Sequence, residues 1–254
     1  MRIVLFCGKK ESNDIVYSYL KNNHNLVGVI IDGPTNKKNF VKRRIKRLGW
    51  FKVFSQLTFQ KGIIPFLAKA SKKRSEEIYN SYEFEIEPVI SYEDVFYPKS
   101  INDPSVLERV KELKPDMIIV NGTRIIHKKI INGVGVPMVN MHVGITPKYR
   151  GVHGGYWALA NGDAENCGVT AHLVDPGIDT GGVIAQRTIQ ITKKDNYCTY
   201  PALQVKAGLE CYGEAIEQMK NGGIKTINNN LESKLYYHPT IFDYFYNRIF
   251  KGVK

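Results

Sequence analysis

An α/β fold on an open, mostly parallel sheet is predicted by three features of the sequence. Short apolar runs are bounded by turn residues, the intervals between them are long enough for crossover helices, and the last central run ends in alternating polar residues. Met1 to Phe6 reads as a buried strand and Leu26 to Asp32 as a second, with a helix-length segment between them, which makes a β-α-β unit. Met117 to Val120 and Pro137 to Met141 are short enough to be central strands of the same sheet. The turn after the first strand carries only Gly8. It lacks the Gly-x-Gly-x-x-Gly spacing that lets a backbone approach a pyrophosphate, so dinucleotide binding there is not expected.

An insertion follows the second strand and reaches about residue 85. Apolar residues at Val41, Ile45 and Leu48, then Phe51, Phe54 and Leu57, suit amphipathic helix, with Lys and Arg on the other faces and breaks at Gly62 and Pro65. Residues 37–74 hold thirteen Lys and Arg and no Asp or Glu, so the formal charge of +12 is local to this segment. The first reading is a solvated helical hairpin packed on the sheet, and the second an anion-attracting or nucleic-acid-contacting arm. A membrane-surface helix ranks below both, on the expectation that Trp50, Phe51 and Phe54 pack on the core.

Beyond residue 165, Gly168 to Val174 and Val183 to Ile191 read as strands flanking the loop Asp175-Pro-Gly-Ile-Asp-Thr-Gly-Gly182. Tyr200 to Met219 reads as a helix closed by Gly222 and Gly223. The aromatic stretch from Leu235 to Tyr246 is a packing or dimer segment rather than a base-stacking platform. The expected organisation is one catalytic domain over 1–225, with a basic helical insertion at about 37–80, and a short extension over 226–254.

Composition narrows the function classes. With 43% hydrophobic and 24% charged residues, the 254-residue chain has the make-up of a globular protein. No stretch approaches the ~18 apolar residues of a membrane span. The run from Ile3 to Phe6 is broken too soon to be a signal-peptide core, so a cytoplasmic protein is expected. Cys7, Cys167, Cys198 and Cys211 are scattered and read as buried free thiols. His142, His153 and Asp179 are the one combination that could surround a metal, but their spacing follows no metal motif and none is expected.

The chemistry concentrates in Val139-Asn-Met-His-Val-Gly-Ile-Thr-Pro-Lys-Tyr-Arg-Gly151. Asn140 and His142 point to one side of an extended chain, at the carboxyl end of a central strand, where ligands bind in open α/β sheets. Alone, the pair reads as a loop cap and a satisfied core histidine. The Gly-rich loop carrying Asp175 and Asp179 changes the balance, because it can bring a carboxylate beside the imidazole, orient it and raise its pKa.

Asn140-Met-His142, Thr146-Pro-Lys-Tyr-Arg-Gly151, the Asn161-Gly-Asp163 turn and Gly177-Ile-Asp-Thr-Gly181 together resemble the folate-dependent N-formyltransferases. That family includes glycinamide ribonucleotide transformylase, methionyl-tRNA formyltransferase and sugar N-formyltransferases. The likeness is close from about residue 112 to 192 and looser over the first strands. It implies a Rossmann-like domain using formyltetrahydrofolate as co-substrate, without a metal, with Asn140, His142 and Asp179 as the catalytic set. By that likeness, Asn140 and a protonated His142 stabilise the oxyanion, and Asp179 keeps His142 charged and relays the amine proton. The resemblance places the folate pocket at Asn121, Gly122, Thr123, Arg124 and Ile125, opposite a wall containing Asp175, Gly177 and Ile178. It places the acceptor near Lys148, Tyr149, Arg150, Gly151, His153 and Tyr156.

Tyr149 to Trp157 resembles the sugar-modifying members most, and too few residues follow position 225 for the RNA-binding barrel expected of a tRNA enzyme. The expected acceptor is a nucleotide-linked amino sugar and the expected assembly a homodimer, without nucleic acid or a membrane span. The alternatives are formyl transfer to methionyl-tRNA or glycinamide ribonucleotide, hydrolysis of the folate, and non-catalytic folate or nucleotide binding.

Overall fold

Period-two alternation explains why the first strand is apolar throughout. In β1 (Arg2–Cys7), Ile3, Leu5 and Cys7 enter one core layer, Val4 and Phe6 enter another, and all five are fully buried. The computed structural model describes residues 1–35 and 37–254, the Lys37 side chain excepted. β1 sits inside a seven-stranded sheet with β2 (Asn25–Ile31), β3 (Val95–Phe96), β4 (Met117–Asn121), β5 (Met138–His142), β7 (Gly168–Leu173) and β8 (Val183–Thr188). The order is β3-β2-β1-β4-β5-β7-β8. The first five strands are parallel, β7 is antiparallel to both neighbours, and the sheet is therefore mostly parallel as expected.

Helices cover both faces. On one, α1 (Glu11–Asn23) supplies Ile15, Val16 and Leu20, and α9 (Tyr200–Lys220) supplies Val205, Leu209 and Ile216. Each such side chain contributes roughly 1.5–3 kcal/mol when fully buried. The Tyr212 hydroxyl, also on α9, donates to the Val120 carbonyl at 2.6 Å, so its burial leaves no polar atom stranded. On the other face, α6 (Ser105–Leu113) and α7 (Lys128–Gly133) bury Val106, Val110 and Ile130.

The insertion is helical but differs from the expectation in two respects. α2 (Lys37–Leu48) and α3 (Trp50–Thr58) are separated by Gly49 at φ 83°, which ends the first helix. Past α3, Gly62 lies within a π-helical turn, Phe59–Ile63, and Pro65 occupies the first turn of α4 (Ile64–Ala70), where its missing N–H costs nothing. The helical path therefore runs through both predicted breaks and on into α5 (Lys72–Tyr79). The second correction concerns α3: it buries Val53, Ser55 and Gln56, while Trp50, Phe51 and Phe54 are exposed rather than packed on the core.

Ser55 and Gln56 are inside because the C-terminal segment meets them. Gln56 Nε2 donates to the His238 carbonyl at 2.5 Å, and the Ile241 amide donates to Ser55 Oγ at 3.3 Å. That segment also adds β9 (Leu235–Tyr236), paired in parallel with β6 (Arg150–Gly151), and α10 (Ile241–Phe250). Tyr149, Tyr156 on α8 (Gly154–Ala160), Phe59, Tyr197 and Tyr244 close a third core. The aromatic tail thus packs against the insertion and the segment that follows β5.

Candidate active site

β5 ends where its side chains change partners. Met141 enters the core, while Asn140 and His142 lie on the opposite side of the strand. Beyond it, the chain turns back so that the Tyr149 carbonyl reaches His142 Nε2 at 2.6 Å. Gly144 permits this approach: a Cβ there would collide with that carbonyl and lie 2.7 Å from the ring nitrogen.

The β7–β8 hairpin brings the carboxylate. Asp179 adopts the left-handed conformation at φ 51°, and Gly181 passes so close to the Leu173 carbonyl that no side chain fits. The loop is braced by Asp175, which accepts from the Gly177 amide at 3.1 Å and the Thr180 hydroxyl at 2.8 Å. Asp179 Oδ2 then lies 3.4 Å from His142 Nδ1 and accepts from the Gly151 amide at 2.9 Å. Its Oδ1 is 3.6 Å from Nε2 of a second histidine, His172.

His172 was not anticipated from sequence. It stands opposite Asn140 in the β5–β7 pairing, where Asn140 Nδ2 donates to its Nε2 at 3.2 Å and its own Nδ1 donates to the Leu173 carbonyl at 2.7 Å. The cluster therefore has four members, Asn140, His142, His172 and Asp179. The available signal was a lone imidazole in the run Gly168-Val-Thr-Ala-His-Leu173, but its importance depends on a register the sequence does not display.

Burial and charge act in opposition at both ends of the cluster. For Asp179, burial pushes the pKa up, but the His172 contact, the charge of His142 and the Gly151 amide outweigh it, and the carboxyl lies below its ordinary value. It is ionised at neutral pH. For His142, burial lowers the pKa and outweighs the opposing Asp179 carboxylate and Tyr149 carbonyl.

The other predicted residues divide into two groups. Arg150 and Gly151 border the cluster, with Arg150 Nη1 donating to the Ile178 carbonyl at 3.1 Å and Arg150 Nε buried without a partner. His153, at φ 55°, lies against Tyr197 and His238. Burial, His238 and Lys10 lower the His153 pKa to about 3, while burial, Arg44 and Lys10 lower that of His238 to about 4. Lys10 thus acts on both rings and Arg44 on His238 alone, with Arg44 Nη2 also donating to Gln56 at 2.5 Å.

By contrast, Lys148 and Tyr149 are both engaged with Asp163, at 2.6 Å each, and Tyr149 is buried. The Tyr156 hydroxyl accepts from Asn247 at 3.0 Å inside the third core. The Tyr149 and Tyr156 side chains are thus core residues, a correction to their expected place against the acceptor, whereas the Lys148 side chain stays partly exposed beside Asp163.

On the proposed folate side, Asn121 is buried and donates to Asn13 at 2.6 Å. Arg124 is held by Asp32, its Nε donating at 2.9 Å, so neither side chain faces a ligand freely. Thr123 bonds within its own loop, its hydroxyl donating to the Arg124 carbonyl at 3.0 Å. Gly122, at φ 65°, lets the loop turn, and Ile125 projects with 58% exposure as an apolar platform beside the strand ends. Among the described residues, no group of three or more His, Cys, Asp or Glu is arranged to hold a metal. Surface hollows of about 280 and 410 Å³, one beside Gln186 and Asn229 and one beside Met1 and His24, share no residue with the cluster.

Comparison with known proteins gives the family of the chain. The sequence is 34% identical over 130 residues to a methionyl-tRNA formyltransferase from Caldanaerobacter subterraneus subsp. tengcongensis, a stretch covering 50% of this chain and 42% of the relative. A methionyl-tRNA formyltransferase from Finegoldia magna is 40% identical over 99 residues, covering 39% and 32%. These matches span less than half of each relative. In structure, a sugar N-formyltransferase from a Shewanella species aligns with a TM-score of 0.56 over 93% of this chain and 76% of its own, at 12% identity. A phosphoribosylglycinamide formyltransferase from Bacillus halodurans aligns with a TM-score of 0.55 over 87% and 96%, at 18% identity. At such identities the structures establish the shared fold alone. The sequence profile described as formyl transferase, however, matches residues 1–216, so the chain belongs to the formyl transferase family.

Proposed function

We propose that the protein transfers a formyl group from formyltetrahydrofolate to the amine of a nucleotide-linked amino sugar. The observation that carries the transfer chemistry is the cluster at the end of β5, where a carboxamide, an ionised carboxylate and two imidazoles meet within 3.6 Å contacts. The family uses formyltetrahydrofolate, which supplies the formyl carbon at the level of an amide.

One N–H of Asn140 is given to His172, and the other is left for an incoming oxygen. It donates to the formyl oxygen as negative charge develops there. Asp179, being ionised, accepts the proton that the acceptor amine sheds as its nitrogen bonds to the formyl carbon. The same carboxyl returns the proton to the folate nitrogen as the old carbon–nitrogen bond breaks. His142 acts as a positioning residue: its Nε2–H fixes the 149–151 turn, and its Nδ1 faces Asp179.

Lys10, which acts on His153 and His238 next to this turn, and Arg44, which acts on His238, favour an acceptor that carries phosphate. A nucleotide-linked amino sugar has both the phosphate and the amine. Methionyl-tRNA is the second reading, favoured by the names of the sequence relatives and by the cations on α2. A mass-spectrometric assay with formyltetrahydrofolate and a panel of nucleotide-linked amino sugars, glycinamide ribonucleotide and methionyl-tRNA separates them. Formylation of a sugar, lost in Asn140→Ala, is the expected result. Formylation of methionyl-tRNA alone overturns the acceptor, and release of formate with no formylated amine makes the chain a hydrolase.

A further inference from the structure

The insertion and the C-terminal helix share an exposed face that formyl transfer does not use. Trp50, Phe51 and Phe54 fall on one side of α3 and are 70%, 59% and 65% exposed. On α10, Phe242, Phe245, Tyr246 and Ile249 recur at helical spacing and are 42–68% exposed, and Phe250 extends the stripe at 72%. The two stripes are continuous, because the Phe51 and Phe242 rings stack with centroids 6.2 Å apart and planes 16° from parallel. Placing so much aromatic surface outward is the reverse of what a helix packed on a core does.

Cations frame this apolar face. Lys42, Arg43, Lys46 and Arg47 are exposed on α2, which packs beside α3, and Lys52 and Arg248 lie on α3 and α10 themselves. The sequences of α2, α3 and α10 contain one acid, Asp243, and it is consumed in a capping box with Thr240. Aromatic and aliphatic residues on one side of a helix, with Lys and Arg around them, make a surface that lies in the interface of an anionic bilayer. No described helix is long and apolar enough to cross a membrane, so the contact is with its surface.

We propose that this face docks the protein on an anionic phospholipid bilayer. Trp50, Phe54, Ile249 and Phe250 enter the headgroup region, and the α2 cations meet the lipid phosphates. Charge complementarity selects this occupant over a second copy of the chain, since a two-fold contact through the same face brings the α2 cations of both copies together. It is also preferred to RNA, whose phosphates would satisfy the cations but leave Ile249 and the outer aromatic edges in water.

The test is co-sedimentation of the full chain with sucrose-loaded vesicles, either phosphatidylcholine alone or with about one quarter phosphatidylglycerol. The expected result is binding to the anionic vesicles only, weakened by salt. Lys42→Gln, Arg43→Gln and Lys46→Gln together should lower the partition coefficient about a hundredfold, from about fivefold per charge. Trp50→Ser, Phe54→Ser and Ile249→Ser together should abolish binding while leaving the circular dichroism spectrum and formyl transfer in solution unchanged. Equal binding to both vesicle types overturns the proposal, as does failure to bind either. Self-association that the serine variants abolish, without vesicle binding, assigns the face to a second copy. RNA binding without vesicle binding assigns it to nucleic acid.

Discussion

Asp179→Asn removes a charge and a proton acceptor while keeping the size of the side chain. In the wild type, Oδ2 accepts from the Gly151 amide at 2.9 Å and faces His142 Nδ1 at 3.4 Å, and Oδ1 lies 3.6 Å from His172 Nε2. An asparagine amide oxygen can still accept from Gly151, and its Nδ2 can donate toward His172, so the left-handed turn at this residue should hold. What disappears is the ionised group that takes the amine proton. Loss of a general base costs about 10²–10⁴ in kcat, or about 3–6 kcal/mol of barrier at about 1.4 kcal/mol per tenfold. Single-turnover formation of the formylated acceptor, followed by mass spectrometry, reads this directly, and folate affinity measured by calorimetry should change little. Because the Asp179 carboxyl lies below its ordinary value, the wild-type rate should hold as pH falls through 6. A variant kcat within about threefold of wild type, with unchanged affinity, would refute the proton-acceptor role.

Two further outcomes follow from the same cluster and its neighbours. His172→Phe should lower kcat about tenfold or more by freeing the Asn140 carboxamide. His172→Gln, whose side-chain oxygen can again accept from Asn140, should restore part of the rate, and a His172→Phe kcat within about threefold of wild type would contradict this role. The second outcome concerns acid stability: the folded-state pKa values of His153 and His238, about 3 and about 4, lie below the unfolded imidazole value. The unfolded chain therefore binds more protons below about pH 6.5, and the stability these residues contribute at neutral pH is lost on acidification. His153 as a residue is only partly buried, which reduces its share to about 1 kcal/mol between pH 7 and 5. Urea midpoints at the two pH values should fall less for His153→Phe than for wild type, and an equal fall in both would contradict the assignment.

The parts of the fold that could be read in advance are those fixed by local periodicity. β1, β2, β4 and β5 are apolar because they are buried on two faces, and the boundaries of α9 follow its helical spacing and terminal glycines. Asn140 and His142 were visible as polar residues two apart at a strand end, and Asp179 as a carboxylate in a loop whose glycines indicate close backbone approach. His172 was not visible, because its role arises from an antiparallel pairing between segments about thirty residues apart. The same limitation applies to Tyr149: the resemblance places its side chain against the acceptor, yet it is the carbonyl that holds His142, while the hydroxyl is spent on Asp163.

The insertion is where local pattern and environment diverge most. Its helical period was correct, but a period identifies two faces without saying which is buried. Hydrophobicity alone assigns Trp50, Phe51 and Phe54 to the interior. In the folded chain the inward positions of α3 include Ser55 and Gln56, because what packs there is the irregular backbone around His238 and Ile241, whose carbonyl and amide need polar partners. Once those hydrogen bonds fix the rotation of α3, its largest apolar side chains must face outward, alongside the stripe that α10 presents for the same geometric reason. The exposed aromatic face is thus tied to the polar seam beneath it. Breaking that seam, as in Gln56→Leu, should rotate or loosen α3 and weaken vesicle binding although every aromatic and cationic side chain remains. Vesicle binding unchanged in that variant would show that the face forms independently of the seam.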